Sequence, residues 1–271
     1  MLAPAVATAL TAIGLTAGDV LLVSSGRTMY EVAQFDLLTA PGVLVAPTVG
    51  GADQPEGWYQ TNEIVRLVAH RIGGRATYLF APALPGPELF ETLQHDPAIQ
   101  RVLHLWPQAK CVLAGVGSPP PLRAQTPSFL QTGAPSLRQA VGDLCSRFYN
   151  RAGEPVPFPG SDRLIALELE QLQAIPAVIA VAAGTEKATS IAVGARAGYF
   201  NQLVNDPTTA ADLDVDRELR RWSHRRTRAR FSPSPRLTSQ ITQSDHTGQI
   251  TQSDHTVRSH LKRGRRCGHD G

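Results

Sequence analysis

Three short runs in this sequence combine glycine with hydroxyl side chains at the end of an apolar stretch, and two of them add a cation. They are Ser24-Ser25-Gly26-Arg27-Thr28, Gly115-Val116-Gly117-Ser118 and Ala183-Gly184-Thr185-Glu186-Lys187, and a glycine pair, Gly50-Gly51, closes a fourth stretch. Glycine lets a backbone approach a ligand closely, and free N–H groups at the start of a helix favour an anion. The chemistry these residues suit is the holding of a phosphate or another anion. They also suit a plain strand-to-helix turn, where small side chains serve geometry alone. A cation in the first turn of a helix opposes the helix dipole, so Lys187 invites an anion as a third party.

The flanking elements are what must position these runs. Val178–Ala182 is short, apolar and rich in β-branched residues, the composition of a strand buried on both faces. Helical spacing follows from Glu186 to Ala197, Gly198 stops it, and Tyr199–Val204 reads as the next strand. The unit is β-α-β, which implies parallel strands and a right-handed crossover. Upstream, Val6–Ile13 reads as a helix, Val20–Val23 as a strand, and 29–38 as a helix. Val43–Val49 reads as a strand and Asn62–Ile72 as an amphipathic helix stopped by Gly73-Gly74. Asn62 is either an N-cap or a polar contact to a ligand. Tyr78–Ala81 reads as a strand, Glu88–Leu93 and Ile99–Trp106 as helices, and Cys111–Ala114 as a strand opening into the second glycine run. Beyond proline-rich 119–135, Ser136–Leu144 is a helix candidate, Ser146–Asn150 and 162–167 are strands, and Glu170–Ile175 is a helix. Alternating strands and helices over 1–215 predict an α/β fold with a mainly parallel sheet. In such sheets ligands sit beyond the carboxyl ends of the strands, where all four runs would meet.

Composition narrows the class. The 271 residues are 42% apolar with a net charge of +3, and that balance hides an asymmetry. Residues 216–271 hold 13 of the 26 basic and 5 of the 23 acidic side chains, a net +8, which leaves 1–215 at −5. Two domains are therefore expected, a body at 1–215 and a low-complexity basic tail at 216–271. The tail carries an arginine-rich run from Arg217 to Arg230 and a tandem QITQSDHT repeat without apolar periodicity, so it reads as disordered. A nucleic-acid-binding tail is the functional alternative. Cys111, Cys145 and Cys267 are odd in number and lack metal-ligand spacing, which suits a reduced, cytoplasmic chain. His70, His95 and His104 have no partnering nucleophile motif. No signal peptide or membrane span is expected, and no metal or cofactor.

Taken in order, VSSGRTMYEVA, VAPTVGG, TNEIVRLVAHRIGGRA, LAGVGS, GDLCSRFYNRAGEPV, DRLIALELEQLQAIPAVIAVAAGTEKATSIAVGARAGYFNQLVND and PTTAADL resemble the effector domain of the SorC-type sugar-binding transcriptional regulators. The resemblance covers about residues 5–215. It implies a fold similar to sugar-phosphate isomerases and CoA transferases, and a phosphorylated sugar as ligand. By that resemblance Ser25, Gly26, Arg27 and Thr28 cradle the phosphate. Gly50, Gly51, Asn62, Gly117, Ser118, Asp162, Gly184 and Lys187 surround the rest. The implied partners are a second copy or a full-length family member, with DNA read only through a helix-turn-helix. Only 19 residues precede Val20, so that reader and the family's first strand are expected to be missing. Ser24 and Ala183 stand where the family has glycine, and each adds a side chain where backbone is expected to approach a ligand.

Two classes of function follow. One is a non-enzymatic sensor that binds a sugar phosphate. The other is an isomerase-type enzyme on the same fold, which needs a carboxylate or histidine to move a proton. Glu186 and Asp162 are the only loop carboxylates near the expected site, and they do not make an acid/base pair. The sensor is the favoured reading.

Overall fold

The structure is a computed structural model that describes residues 2–215, apart from 124 and 131–133. The expectations for the tail lie outside the described residues.

In chain order the first half comprises α1 (Ala3–Ile13), β1 (Val20–Val23), α2 (Arg27–Val32), β2 (Leu44–Pro47), α3 (Thr61–Ile72), β3 (Arg75–Ala76), α4 (Pro87–His95) and α5 (Pro97–Leu103). The second comprises β4 (Ala109–Gly117), β5 (Gly142–Leu144), β6 (Arg147–Tyr149), β7 (Pro155–Val156), α6 (Leu169–Ala174), β8 (Ala177–Ala182), α7 (Ala188–Ala197), β9 (Gln202–Asn205) and α8 (Pro207–Val215). Strands β3-β2-β1-β4-β8-β9 pair side by side, every pair parallel. The chain moves outward from β1 to β2 and β3 on one side, and from β4 to β8 and β9 on the other. The switch point between β1 and β4 is where such sheets leave a crevice at their carboxyl edge.

Successive strand residues face opposite sides, and the two sides have separate cores. Leu21, Val23, Val45, Leu113 and Ile179 pack with α1, α2 and α3. Leu22, Val112, Ala114, Val178 and Ala180 pack with Ile99 and Val102 of α5, Leu169 and Leu172 of α6, and Ile191 of α7. The mainly parallel α/β sheet read from the sequence is the fold observed. Among the described residues no helix is long and apolar enough to cross a membrane.

Several elements differ from expectation, each for a tertiary reason. Tyr78–Ala81 is not a strand. The Asn62 side chain takes both main-chain groups of Leu79, accepting from its N–H at 3.0 Å and donating to its C=O at 3.1 Å, in place of a strand ladder. Gly115, Val116 and Gly117 are not a loop but the end of β4. There the strand leaves its parallel neighbours, and Val116 and Gly117 pair antiparallel with Leu144 and Asp143. The candidate helix at 136–144 is a 3-10 turn, Pro135–Gln139, followed by β5, because residues 142–144 form a hairpin with β6. Its two-residue turn is Cys145-Ser146, both at positive φ (52° and 65°) without glycine, so the usual hairpin signal is absent. Residues 162–167 run from a 3-10 turn into extended chain bridged only at Ala166 to Val49. Arg147 fixes this segment by donating to the carbonyls of Ser161, Leu164 and Ala166. Helix α2 ends at Val32, short of residue 38.

Candidate functional site

The first glycine run leaves β1 at the switch point. Ser24 is buried, its N–H donates to the Leu113 carbonyl, and its Oγ accepts from the Gly115 N–H at 3.0 Å. The Ser24 side chain therefore turns into the sheet and ties β1 to β4. Gly26 has φ 121° and ψ 155°, a region other residues avoid, and it bends the chain into α2. Its N–H donates to the Trp58 carbonyl at 2.8 Å. The Arg27 guanidinium lies over the Trp58 ring, 4.7 Å from its centroid, and donates to Gln125 Oε1 at 3.0 Å.

The Gly50-Gly51 pair sits on the β2 side. The Gly50 N–H donates to the Ile165 carbonyl, and Gly51 exchanges bonds with Ala81 and Ala83. A Cβ on Gly50 would lie 2.7 Å from the Ala81 carbonyl oxygen, so this glycine allows two backbones to cross. Asn62 is the second residue of α3 rather than its N-cap, and its amide is committed to Leu79. Asp162 is exposed on the 3-10 turn Ser161–Arg163.

At the end of β4 the sequence reading missed two residues, Arg123 and Asp143. They form an ion pair whose side chains are only 11% and 14% exposed, and the guanidinium also lies over the Phe148 ring. The Arg123 Nε donates to the Ser118 carbonyl at 2.8 Å. Gly117 is required beneath them, because a Cβ there would collide with the Asp143 carboxylate. The signal was available as the Gly-Asp of β5 and the arginine beside the prolines, but only the hairpin brings them together.

Lys187 ends the 3-10 turn Thr185–Lys187 and occupies the N-cap position of α7. It is half-buried, and burial holds its pKa below the ordinary lysine value against the opposing pull of Glu186 and Asp143. Among the described residues no carboxylate lies within ion-pair distance of its ammonium. Its loop is held from below. The Gly184 N–H donates to Thr209 Oγ1 at 2.9 Å and Asp206 Oδ2 at 3.2 Å, and Asp206 also accepts from the Thr209 N–H. A cavity of about 540 Å³ lies beside the first loop, between Leu2 and Ala3 at the start of α1, Thr28, Glu31 and Phe35, and Ala183 and Asp206; Lys187 is not in its lining. The runs at 24–28, 115–118 and 184–187 thus gather round the end of β4, while 50–51 and 162 lie across the β2 side. Cys111 and Cys145 are buried with pKa values pushed up to about 12 by burial, which leaves both thiols inert at neutral pH.

Residues 1–213 match the family model described as "Putative sugar-binding domain". The chain belongs to this sugar-binding-domain family. It is 31% identical over 207 residues to the deoxyribonucleoside regulator of Bacillus subtilis (strain 168), covering 73% of this chain and 65% of that protein. It is 26% identical over 205 residues to the sorbitol operon regulator of Klebsiella pneumoniae, covering 72% and 65%. The crystal structure of the full-length sorbitol operon regulator SorC from that organism superposes with a TM-score of 0.69 at 26% identity, over 78% of this chain and 70% of that one. The chain thus spans a little under two thirds of the length of these curated relatives. Its sugar-binding domain is of the kind found in the DeoR- and SorC-type transcriptional regulators. Arg27, Arg123 and Lys187 are three cations of this sugar-binding domain near one sheet edge, at the start of α2, on the segment after β4 and on the turn before α7.

Proposed function

We propose that this domain senses a phosphorylated sugar at the carboxyl edge of its sheet and passes that occupancy to a transcriptional regulator through oligomerisation. The observation that carries the reading is Lys187: a half-buried ammonium, lowered in pKa by burial and without an ion-pair partner among the described residues. A buried cation is costly unless an anion joins it. The phosphate is placed at Ser25–Thr28, and the sugar oxygens or a second phosphate near Lys187 and Ser118. Gly50, Gly51, Asn62, Gly117 and Gly184 then act through backbone shape, since their polar groups or their space are already committed. Asp162 stands at the rim.

The sensor reading is preferred to an isomerase because two carboxylates at this edge are engaged and the other two, Glu186 and Asp162, lie on different sides of the sheet and do not make an acid/base pair. Asp143 pairs with Arg123, and Asp206 holds Gly184 and Thr209. The partner is a second copy or a full-length regulator, with DNA contacted through a helix-turn-helix; a body of net charge −5 is poorly suited to phosphate backbones. This is a reading for the cytoplasm, where sugar phosphates occur. Calorimetric titration of glucose 6-phosphate, ribose 5-phosphate and fructose 1,6-bisphosphate, beside the unphosphorylated sugars, tests it. Binding of a phosphorylated member without turnover in a coupled isomerase assay is the expected result. Turnover would move the protein to the enzyme class.

A further inference from the structure

We propose that Trp58 is the positioning residue that sets the Arg27 guanidinium for a phosphate, and so makes the site prefer phosphorylated over neutral sugars. The inference rests on the effector reading above and deepens it.

Three observations carry it. First, Trp58 is bound to the loop it serves, since its carbonyl accepts the Gly26 N–H at 2.8 Å. Ring and loop therefore keep a fixed relation. Second, the guanidinium carbon of Arg27 stands 4.7 Å from the Trp58 ring centroid, within the range of a cation–π contact. Tyr30 braces the indole edge-on, with ring centroids 6.5 Å apart. Gly57 completes the fit, because a Cβ there would lie 2.6 Å from the Tyr30 ring. Third, the polar acceptor seen on Arg27 is neutral: Gln125 Oε1 takes one of its five donors at 3.0 Å. A dianion at Ser25–Thr28 offers a stronger, charge-assisted partner.

The chemistry follows from these positions. A free arginine loses rotamer entropy when it grips an anion, and one already stacked has less to lose. The Trp58 face removes that cost without neutralising the charge, so the gain falls on ligands with a phosphate. A neutral sugar meets the same loop and gains nothing from Arg27.

The test is calorimetry on the wild type, W58F, W58A, R27A and the W58A/R27A double variant. The probes are the three sugar phosphates named above and their unphosphorylated sugars. W58A should weaken the best-binding phosphate about tenfold and leave neutral sugars unchanged. W58F keeps an aromatic face and should stay within about threefold of wild type. The double variant should be no weaker than R27A alone, because Trp58 acts through Arg27. Thermal melts of W58A separate general loosening from a binding effect. Equal affinity of wild type and W58A, or losses that add in the double variant, overturns the positioning role alone. A wild type that binds no sugar phosphate overturns the effector reading and this inference with it.

Discussion

Arg123 and Asp143 meet as an ion pair at the end of β4, with Phe148 behind the guanidinium and Gly117 leaving the space beneath. They lie 20 residues apart in sequence, on the proline-rich segment and on β5. The pair fastens the antiparallel hairpin to the edge of the parallel sheet, beside the Lys187 loop.

Removing one member should leave the other as a buried, uncompensated charge. Arg123→Ala or Asp143→Ala is expected to cost about 3–5 kcal/mol, read as a lowered urea midpoint. Replacing both at once should cost less than the two single losses combined. Additive losses would show that the two charges do not depend on each other.

Ser24 offers a second check. Ser24→Ala leaves the Gly115 N–H without the acceptor now 3.0 Å away. A loss of about 1–3 kcal/mol is expected, and Ser24→Gly, which also removes the hydroxyl, should lose stability as well. An unchanged midpoint in both variants would show that the bond contributes nothing.

Lys187 is expected to separate binding from stability. Lys187→Ala should weaken sugar-phosphate binding roughly ten- to a hundredfold, the size of a lost charge-assisted hydrogen bond. Its effect on stability should have the opposite sign. Burial lowers the folded-state pKa below the unfolded value, so between the two the unfolded chain binds a proton that the folded one releases. Stability contributed by this site therefore rises as pH climbs through that window, and at neutral pH the buried charge is a cost. Lys187→Met should melt higher than wild type at pH 7. A lower melting temperature together with unchanged affinity would show a purely structural lysine.

Asp19 should govern part of the acid limb. The Lys110 ammonium 2.7 Å away, helped by the Thr16 N–H, lowers its carboxyl from 3.8 to about 2. The folded value is the depressed one, so the stabilisation is complete above about pH 4 and disappears as pH falls through 2. Asp19→Asn should be less stable than wild type at pH 6, with the gap closing by pH 2. A gap independent of pH would show that packing, not charge, is what Asn disturbs.

The sequence by itself determined the central strands of the parallel sheet and the main helices that cover them. Val20–Val23 and Val178–Ala182 are short, apolar and rich in β-branched residues, the composition of buried strands, α3 carries one apolar face, and α3 and α7 end at Gly73 and Gly198. Those signals are local, set by the periods of side-chain direction along helix and strand. The loops at 24–28 and 184–187 were legible for the same reason, since each follows such a strand. What the tertiary structure decided is everything fixed by partners distant in the chain. The Asn62 amide holds Leu79 in place of a strand ladder, a two-residue turn at positive φ without glycine makes β5 and β6 a hairpin, and Arg123 reaches Asp143 only across that hairpin. The Trp58 ring beneath Arg27 belongs to the same class, 31 residues from its cation in sequence and in contact with it only because Gly26 bonds to its backbone. No periodicity encodes such contacts, because each depends on where two separate segments are delivered by the sheet between them.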